Sequence, residues 1–374
     1  LKRIKTENKV SGGANLIHQS REKVSTLKEV ASLAGVSTAT ASRVLNGHGA
    51  RPEVQARVLE AVEELGYRPN PGARFMKGKQ AGSIGLLLPQ ISHPFFAALA
   101  EGALKEAGRN DQVMVIASCQ GNRDQEQQKL EQFSRSFLDG MIYFPLEKGE
   151  TFPDIADFRN IPIVIAGRRG IFPDKPHVYS DNLKGGYLAA KYLLRLGHKR
   201  IAFFAGFWDP HCNPGNIRDK AFEDGSGAFS SLDRFRGYLN ALDESSIKLD
   251  KDLIAICGYD FNAGVKAAEE LMARMVTVDA MICPNDLVAA GALHFLTSQG
   301  IKVPGDISII GYDDDSMAVM TNPTLTTIRQ QMPEIGKQAV LMVNHMISGK
   351  PVHDVVVDVE LIIRNSTATS SDIS

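Results

Sequence analysis

Thr26-Leu27-Lys28-Glu29-Val30-Ala31-Ser32-Leu33-Ala34-Gly35-Val36-Ser37-Thr38-Ala39-Thr40-Ala41-Ser42-Arg43-Val44-Leu45-Asn46-Gly47 encodes two short helices and the turn between them. Thr26 and Glu29 have capping-box spacing, in which the hydroxyl accepts the Glu29 amide and the carboxylate reaches back. Leu27, Val30, Ala31 and Ala34 then share one helical face, and Gly35 supplies the stop. Ser37 is placed to cap a second helix, Thr38 to Leu45, whose apolar face is Ala41, Val44 and Leu45. Thr38, Ala39, Ser42 and Arg43 look outward, and Asn46-Gly47 ends the helix. A third helix opens on Pro52, where a missing amide costs nothing, and turns Val54, Val58, Val62 and Leu65 inward until Gly66. Two helices joined by a glycine turn, the second showing small polar residues and an Arg, fit a recognition helix in the major groove. A helical hairpin packed on another domain is the plainer alternative.

Working outward, Tyr67 to Gln80 holds Asn70 as a natural N-cap, Pro71 as a first-turn residue and Gly78 as a stop. That predicts a helix of about two turns, too short to persist alone, and Gly72 weakens it further. It is a candidate for conditional folding, with a plain interdomain linker as the alternative. Residues 1–23 are polar, include Ser11-Gly12-Gly13 and lack periodicity, so a flexible extension is expected.

Charge follows the same division. Residues 1–80 carry 14 Lys and Arg against 7 Glu and no Asp, a net of +7, which leaves −8 for the remainder of a chain whose total is −1. A basic head on an acidic body hints at a polyanionic partner. The 374 residues are too many for one ordinary core, and 23% charged with 43% hydrophobic residues excludes a disordered or fibrous chain. No run approaches the roughly 18 apolar residues of a membrane span, and Leu1-Lys2-Arg3-Ile4-Lys5 leads into no secretory apolar stretch, so a cytoplasmic protein without membrane partners is expected. The four cysteines are far apart, with no metal-ligand spacing, which predicts buried thiols and no metal.

From residue 83 on, short apolar runs alternate with amphipathic helices: Ile84 to Leu88, Phe95 to Ala107, Val113 to Ala117, Glu126 to Phe137, Gly140 to Phe144 and Ile163 to Ala166. The pattern restarts near 184 with Leu183 to Leu196 and Ile201 to Ala205, then strands at Leu253 to Cys257, Ala280 to Cys283 and Ser308 to Ile310. This is α/β architecture, two lobes of doubly wound parallel sheet with a cleft at the strand carboxyl ends. A Rossmann enzyme shares the pattern. No Gly-x-Gly-x-x-Gly follows a strand, however, and Gly225-Ser226-Gly227 sits in a polar loop. Walker, Gly-x-Ser-x-Gly and His-Glu-x-x-His motifs are also missing, so no catalytic residue is assigned.

Thr26 to Ala31, Gly35-Val36-Ser37, Ser42 to Gly47 and Leu65-Gly66-Tyr67-Arg68-Pro69-Asn70 together resemble the headpiece of the lactose/galactose repressor (LacI/GalR) family of bacterial transcription regulators. The resemblance continues through Ile84-Gly85-Leu86 with Pro94-Phe95-Phe96, Leu196 to Ala202, Pro284-Asn285-Asp286, Gly311 to Asp314 and Leu325 to Ile328, covering about residues 24–365. It implies a helix-turn-helix headpiece at 24–69, a hinge helix and linker at 70–82, and a periplasmic-binding-protein-like core at 83–365. Lobe 1 would hold about 83–183 and 331–359, lobe 2 about 184–330 and 360–365, and a tail would follow at 366–374. It implies operator contacts from Thr26, Ser37, Thr38, Ala39, Thr40, Ser42, Arg43 and Asn46, and from Asn70, Ala73 and Met76 in the hinge. It implies effector contacts from Phe95, Phe96, Arg234, Asn285 and Asp313, and Arg168 joins them as a candidate through its charge at a strand end on the cleft side. A homodimer would straddle a pseudo-palindromic double-stranded operator, most simply as a repressor located at the bacterial nucleoid when bound. A small-molecule effector, rather than a cofactor, would control hinge folding.

Departures from the family pattern matter as much. Gly167 falls where many members carry an effector-binding Asp, and Arg168 and Arg169 follow it. Together with Arg234 they favour a sugar acid or sugar phosphate over a neutral sugar, with solvated surface arginines as the equal alternative. Ala41 replaces a usual Val, and Met76 stands where the hinge normally presents a Leu wedge to the minor groove. The segment from Gly206 to Arg234, with Trp208, two prolines and Cys212, is longer than usual and is a candidate lid or a tolerated insertion. The tail lacks a leucine heptad, so a dimer is expected. A non-regulatory sugar-binding protein and a sugar-modifying enzyme are the competing readings, and neither explains residues 24–80.

Overall fold

The computed structural model describes residues 25–45, 47, 49–68, 80–146, 153, 155, 161–206, 215–222 and 229–370. They fall into two compact units, residues 1–79 and 80–374. Among them no helix is long and apolar enough to cross a membrane.

The first unit holds α1 (Leu27–Leu33), α2 (Thr38–Leu45) and α3 (Pro52–Glu64). Thr26 Oγ1 accepts the Glu29 amide at 3.3 Å, and the Glu29 carboxylate accepts the Thr26 amide at 2.7 Å, so the capping box is complete. Ser37 Oγ accepts the Thr40 amide at 3.1 Å and starts α2. The stops at Gly35, Gly47 and Gly66 have φ of +64°, +72° and +55°, a region that Cβ-bearing residues avoid. Val30, Ala31, Ala34, Ala41, Val44, Val58 and Ala61 form the core, with Tyr67 packed against it. Val62 and Leu65 are only half-buried at its edge, because so small a unit has little interior to offer.

The second unit contains two six-stranded sheets. The first is built from β1 (Ser83–Leu88), β2 (Val113–Ser118), β3 (Gly140–Tyr143), β4 (Ile163–Ala166), β5 (His177–Ser180) and, late in the chain, β11 (Val355–Val357). Its order is β11-β5-β4-β3-β1-β2 and every pairing is parallel. The second uses β6 (Ile201–Gly206), β7 (Ile254–Cys257), β8 (Ala280–Ile282), β9 (Ser308–Asp313), β10 (Thr326–Gln330) and β12 (Val359–Ile362), in the order β12-β10-β9-β8-β6-β7. Only β12, beside β10, runs antiparallel. Central strands such as β3, β4 and β6 are buried at every residue, as expected for sheets covered on both faces. Clusters of apolar side chains lie on either side of each sheet.

The helices are α4 (Pro94–Arg109), α5 (Arg123–Ser134), α6 (Asn182–Arg195), α7 (Ile217–Phe222), α8 (Ser230–Glu244), α9 (Phe261–Ala273), α10 (Asp286–Ser298), α11 (Ser316–Met320) and α12 (Met332–Ile347). The chain passes between the lobes three times, from β5 to α6, from β10 to α12 and from β11 to β12. The strands β5, β10, β11 and β12, each only three to five residues long, are absent from the apolar runs read in the sequence. The long segment before Arg234 is also not all loop, since α7 lies in it and buries Ile217 and Ala221 in the lobe 2 core.

Three helix pairs cross through facing glycines. A Cβ on Gly102 of α4 would lie 2.0 Å from the Pro333 carbonyl oxygen, and one on Gly336 of α12 would lie 2.0 Å from that of Leu99. Gly264 of α9 and Gly291 of α10 repeat the arrangement, as do Gly186 of α6 and Gly237 of α8. The last pair positions the cleft, because a Cβ on Gly186 would strike the backbone of Arg234 at 1.9 Å.

The segment expected as a tail from 366 is instead part of lobe 2 as far as residue 370. Ser366 is fully buried, donates to the Ile309 carbonyl at 2.6 Å and accepts the Thr326 amide at 2.8 Å. Ala368 and Ser370 bond to Ser308 Oγ and the Leu196 carbonyl. Short polar residues read as disordered when their partners are distant in sequence.

Replacing Gly237 with Ala is expected to destabilise the core by roughly 1–3 kcal/mol, the usual cost of overpacking, in urea unfolding followed by circular dichroism. The equivalent change at exposed Gly108 in the last turn of α4, which has open space around its Cβ, should leave the midpoint unchanged or raise it slightly.

Candidate functional site

A cavity of about 270 Å³ opens between the two sheets at their strand carboxyl ends. Its lobe 1 wall is aromatic. Phe95 and Phe96 start α4, and Phe144 follows β3, with ring centroids 4.9 Å apart for Phe95 and Phe96 and 5.0 Å apart for Phe96 and Phe144, all edge to face. His93 caps α4 by accepting the Phe95 amide on Nδ1 at 3.3 Å. Burial holds the His93 pKa below its usual value, so the ring is neutral at pH 7.

The lobe 2 wall is polar. Arg234 on α8 is 8% exposed and donates from Nε to Asn182 Oδ1 at 2.8 Å and from Nη1 to the Pro284 carbonyl at 2.6 Å. Its guanidinium lies 3.7 Å over the Tyr312 ring, which places a cation on an aromatic face. Asp313 ends β9 with φ of +106°, strained for a residue with a side chain, and accepts Gln330 Nε2 at 2.6 Å. Burial raises its pKa to about 7, against the opposing pull of Arg234. Asn285 caps α10 through Oδ1 to the Val288 amide at 2.8 Å, while Nδ2 donates to the Tyr259 carbonyl at 2.7 Å and lies 3.2 Å from His93 Nε2 of the other lobe.

Three sequence motifs meet behind this wall. Asp286, fully buried, accepts Thr327 Oγ1 at 2.6 Å and the Asp315 amide at 3.0 Å. Gly311 makes room, since a Cβ there would lie 2.1 Å from Asp286 Oδ1. Burial, then the Asp313 charge, pushes the Asp286 pKa well up. Asp314 turns away to Arg329 and Arg364, so the adjacent carboxylates do not form an acid-base pair.

Of the residues expected at the effector, Phe95, Phe96, Arg234, Asn285 and Asp313 line the cavity together. Arg168 does not, which corrects that expectation. Its side chain is 2% exposed, packs 5.6 Å from the Phe229 ring centroid and has its pKa lowered to about 9 by burial. Arg169 is engaged too, donating to Asp233 through Nε and Nη2 at 2.9 and 2.7 Å. Gly167 has φ of +78°, and its Cβ would lie 2.0 Å from the Phe144 ring, so an aromatic edge fills the space of the missing carboxylate. The sequence reading missed His93, Gln120, Phe144 and Tyr259, which also line the cavity. Their shared signal was position just past a strand end, as with Phe144 after Gly140 to Tyr143.

In the first unit, Thr26, Ser37, Thr38, Ala39 and Arg43 are exposed, while Thr40 and Ser42 are half-buried. Ser37 and Thr40 hydroxyls lie 2.9 Å apart, and Arg43 Nη2 is 3.4 Å from the Gly49 carbonyl. Asn46, Asn70, Ala73 and Met76 lie outside the described residues, as does the expected hinge helix.

A family model described as bacterial regulatory proteins, lacI family, matches residues 26–70, and a periplasmic binding protein-like domain matches 190–367. The chain is 34% identical to the HTH-type transcriptional repressor CytR of Escherichia coli K12 over 355 residues, covering 93% of this chain and 97% of the relative. It is 32% identical to the ribose operon repressor of Haemophilus influenzae, covering 85% and 90%. Among solved structures, the transcriptional regulator CelR in complex with cellobiose is 27% identical with a TM-score of 0.67, covering 91% of this chain and 99% of that one. The lac repressor dimer bound to operator and the anti-inducer ONPF shares the fold at 24% identity and a TM-score of 0.77, covering 92% and 100%. The chain therefore belongs to the lacI family of bacterial regulatory proteins, and it is a DNA-binding, effector-responsive transcriptional regulator rather than an enzyme.

The folded Asp313 pKa lies above that of the unfolded chain, so the native state binds a proton that the unfolded state releases between about pH 4 and 7. Stability from this residue is thus present at low pH and falls as pH rises to about 7. Thermal melts from pH 5 to 8 should show Asp313→Asn declining less steeply with pH than the unsubstituted protein.

Proposed function

We propose that this regulator is a repressor that binds a pseudo-palindromic operator as a homodimer and is controlled by a neutral, single-ring polyol seated in the cleft. The observation that carries the ligand reading is the pairing of one Arg and one Asp opposite three phenyl rings. Arg234 donates to ring or hydroxyl oxygens, ionised Asp313 accepts two hydroxyl protons, Asn285 orients, and Phe95, Phe96 and Phe144 cover the apolar sugar face. With Arg168 and Arg169 engaged elsewhere, the charge balance favours a neutral sugar over the sugar acid or sugar phosphate suggested by sequence. A cavity of 270 Å³ suits one ring rather than a longer saccharide. The relatives named for ribose and solved with cellobiose support sugar chemistry without fixing the ligand.

On DNA, Thr38, Ala39, Ser42 and Arg43 read base edges, Arg43 as the residue able to bond bidentately to guanine, and Thr26, Ser37, Thr40 and Asn46 meet phosphates. Asn70, Ala73 and Met76 complete a hinge pair in the minor groove. The division of the chain is headpiece 24–69, hinge and linker 70–82, then the two-lobed core. A second copy covers the free edge of β2, where Val113 and Val115 are 66% and 41% exposed.

Selection from random duplex DNA at fixed salt is expected to recover a palindrome, and failure to recover one sinks the reading. Arg43→Ala should cost about 1–3 kcal/mol at the selected site and relax one base position. Val115→Glu should shift the protein to monomer in sedimentation and weaken operator binding. Thermal-shift screening of neutral and acidic sugars should find a neutral ligand whose affinity tightens as pH rises through about 7, where Asp313 ionises, and is lost in Arg234→Ala.

A further inference from the structure

Beside the cavity a second set of contacts joins the lobes. Arg169 leaves the loop after β4, in lobe 1, and meets the Asp233 carboxylate on α8, in lobe 2, with both Nε and Nη2. Parallel charge-assisted bonds of this kind fix orientation as well as distance. Two residues earlier in lobe 1, the Gly167 carbonyl accepts Ser230 Oγ at 3.3 Å from the start of α8. Asp233 is 5% exposed and also takes Arg236 of its own helix, which holds the carboxylate in place for the residue arriving from the other lobe. Neither Arg169 nor Asp233 lines the cavity, whereas Arg234, the next residue of α8, does. The first turns of α8 are therefore gripped by lobe 1 on one side and present a cavity-lining Arg on the other.

We propose that Arg169 and Asp233 form a tie between the lobes that works without any ligand and sets the fraction of molecules with a closed cleft. A ligand that needs the closed cleft binds with an apparent affinity scaled by that fraction, and any state of the core that alters operator binding is biased by the same equilibrium. The tie stands on geometry alone; its consequence for the operator rests on the regulator reading above.

The test places spin labels on Cys substituted at Glu101 of α4 and Lys266 of α9, on the exposed faces of opposite lobes, in full-length Cys212→Ser protein. The cysteines at 119, 257 and 283 are buried. Dilution with unlabelled protein leaves only the pair within one chain to report by pulsed electron resonance. Arg169→Ala should lengthen and broaden the interlobe distance, and Arg169→Lys, which keeps the charge but loses the fork, should fall between. On top of Asp233→Asn, Arg169→Ala should add nothing. A folded Arg169→Ala protein with an unchanged distance distribution overturns the tie, as does an equal effect in the Asp233→Asn background. The same variants are then titrated on the site recovered from random DNA, where a change of at least about threefold is expected alongside the distance change. Unchanged operator affinity with an altered distance overturns the link to DNA. If the unsubstituted protein selects no site, the regulator reading fails and the distances still decide the tie.

Discussion

Burying a guanidinium in a protein cleft is expensive unless its donors are met, and Arg234 sets the terms for much of the core. Its position requires Gly186, because any side chain there would push α8 away. Its orientation requires Asn182, at the first passage between the lobes, and the Pro284 carbonyl at the end of the next strand but one. Tyr312 supplies a flat face beneath it. Asp313, its counter-charge in the cavity, is held by Gln330 at the second passage. The two charges that face the cavity are thus each attached to a segment that changes lobes. Any relative movement of the lobes must strain one of these bonds or carry the charge with it.

The contrast between the two cleft walls follows from which strand ends they use. Lobe 1 places phenyl rings, a neutral imidazole and the Gln120 amide there, and lobe 2 places the Asn285 amide, carboxylate and guanidinium. At Gly167 the exchange is visible at a single residue, where a positive φ and the Phe144 ring together leave no space for the acid that relatives are expected to carry. Removing a carboxylate while withdrawing Arg168 and Arg169 keeps the cavity near electrical balance, with one acid and one base remaining.

Much of the headpiece was legible because its signals are local. The capping box at Thr26 and Glu29, the cap at Ser37 and the glycine stops each act within four residues, and each has its expected geometry. The central strands of both sheets were equally plain from their apolar runs. What escaped was non-local. Arg168 and Arg169 look like a basic strand end until Phe229 and Asp233, some 60 residues away, are brought beside them. His93 and Asn285 are 192 residues apart, so no spacing rule links them. The short edge strands β11 and β12 depend on partners that periodicity cannot name.

The bonding of Ser366 to Ile309 and Thr326 bears on how the molecule is made. Lobe 1 waits for α12 and β11, and lobe 2 waits for β12 and residues 366–370, so both sheets are completed only by residues 355–370. The headpiece has every residue it needs some 300 residues sooner. A DNA-facing surface can therefore form on the nascent chain well before there is a core to regulate it, which gives folding quality control a long interval in which to act.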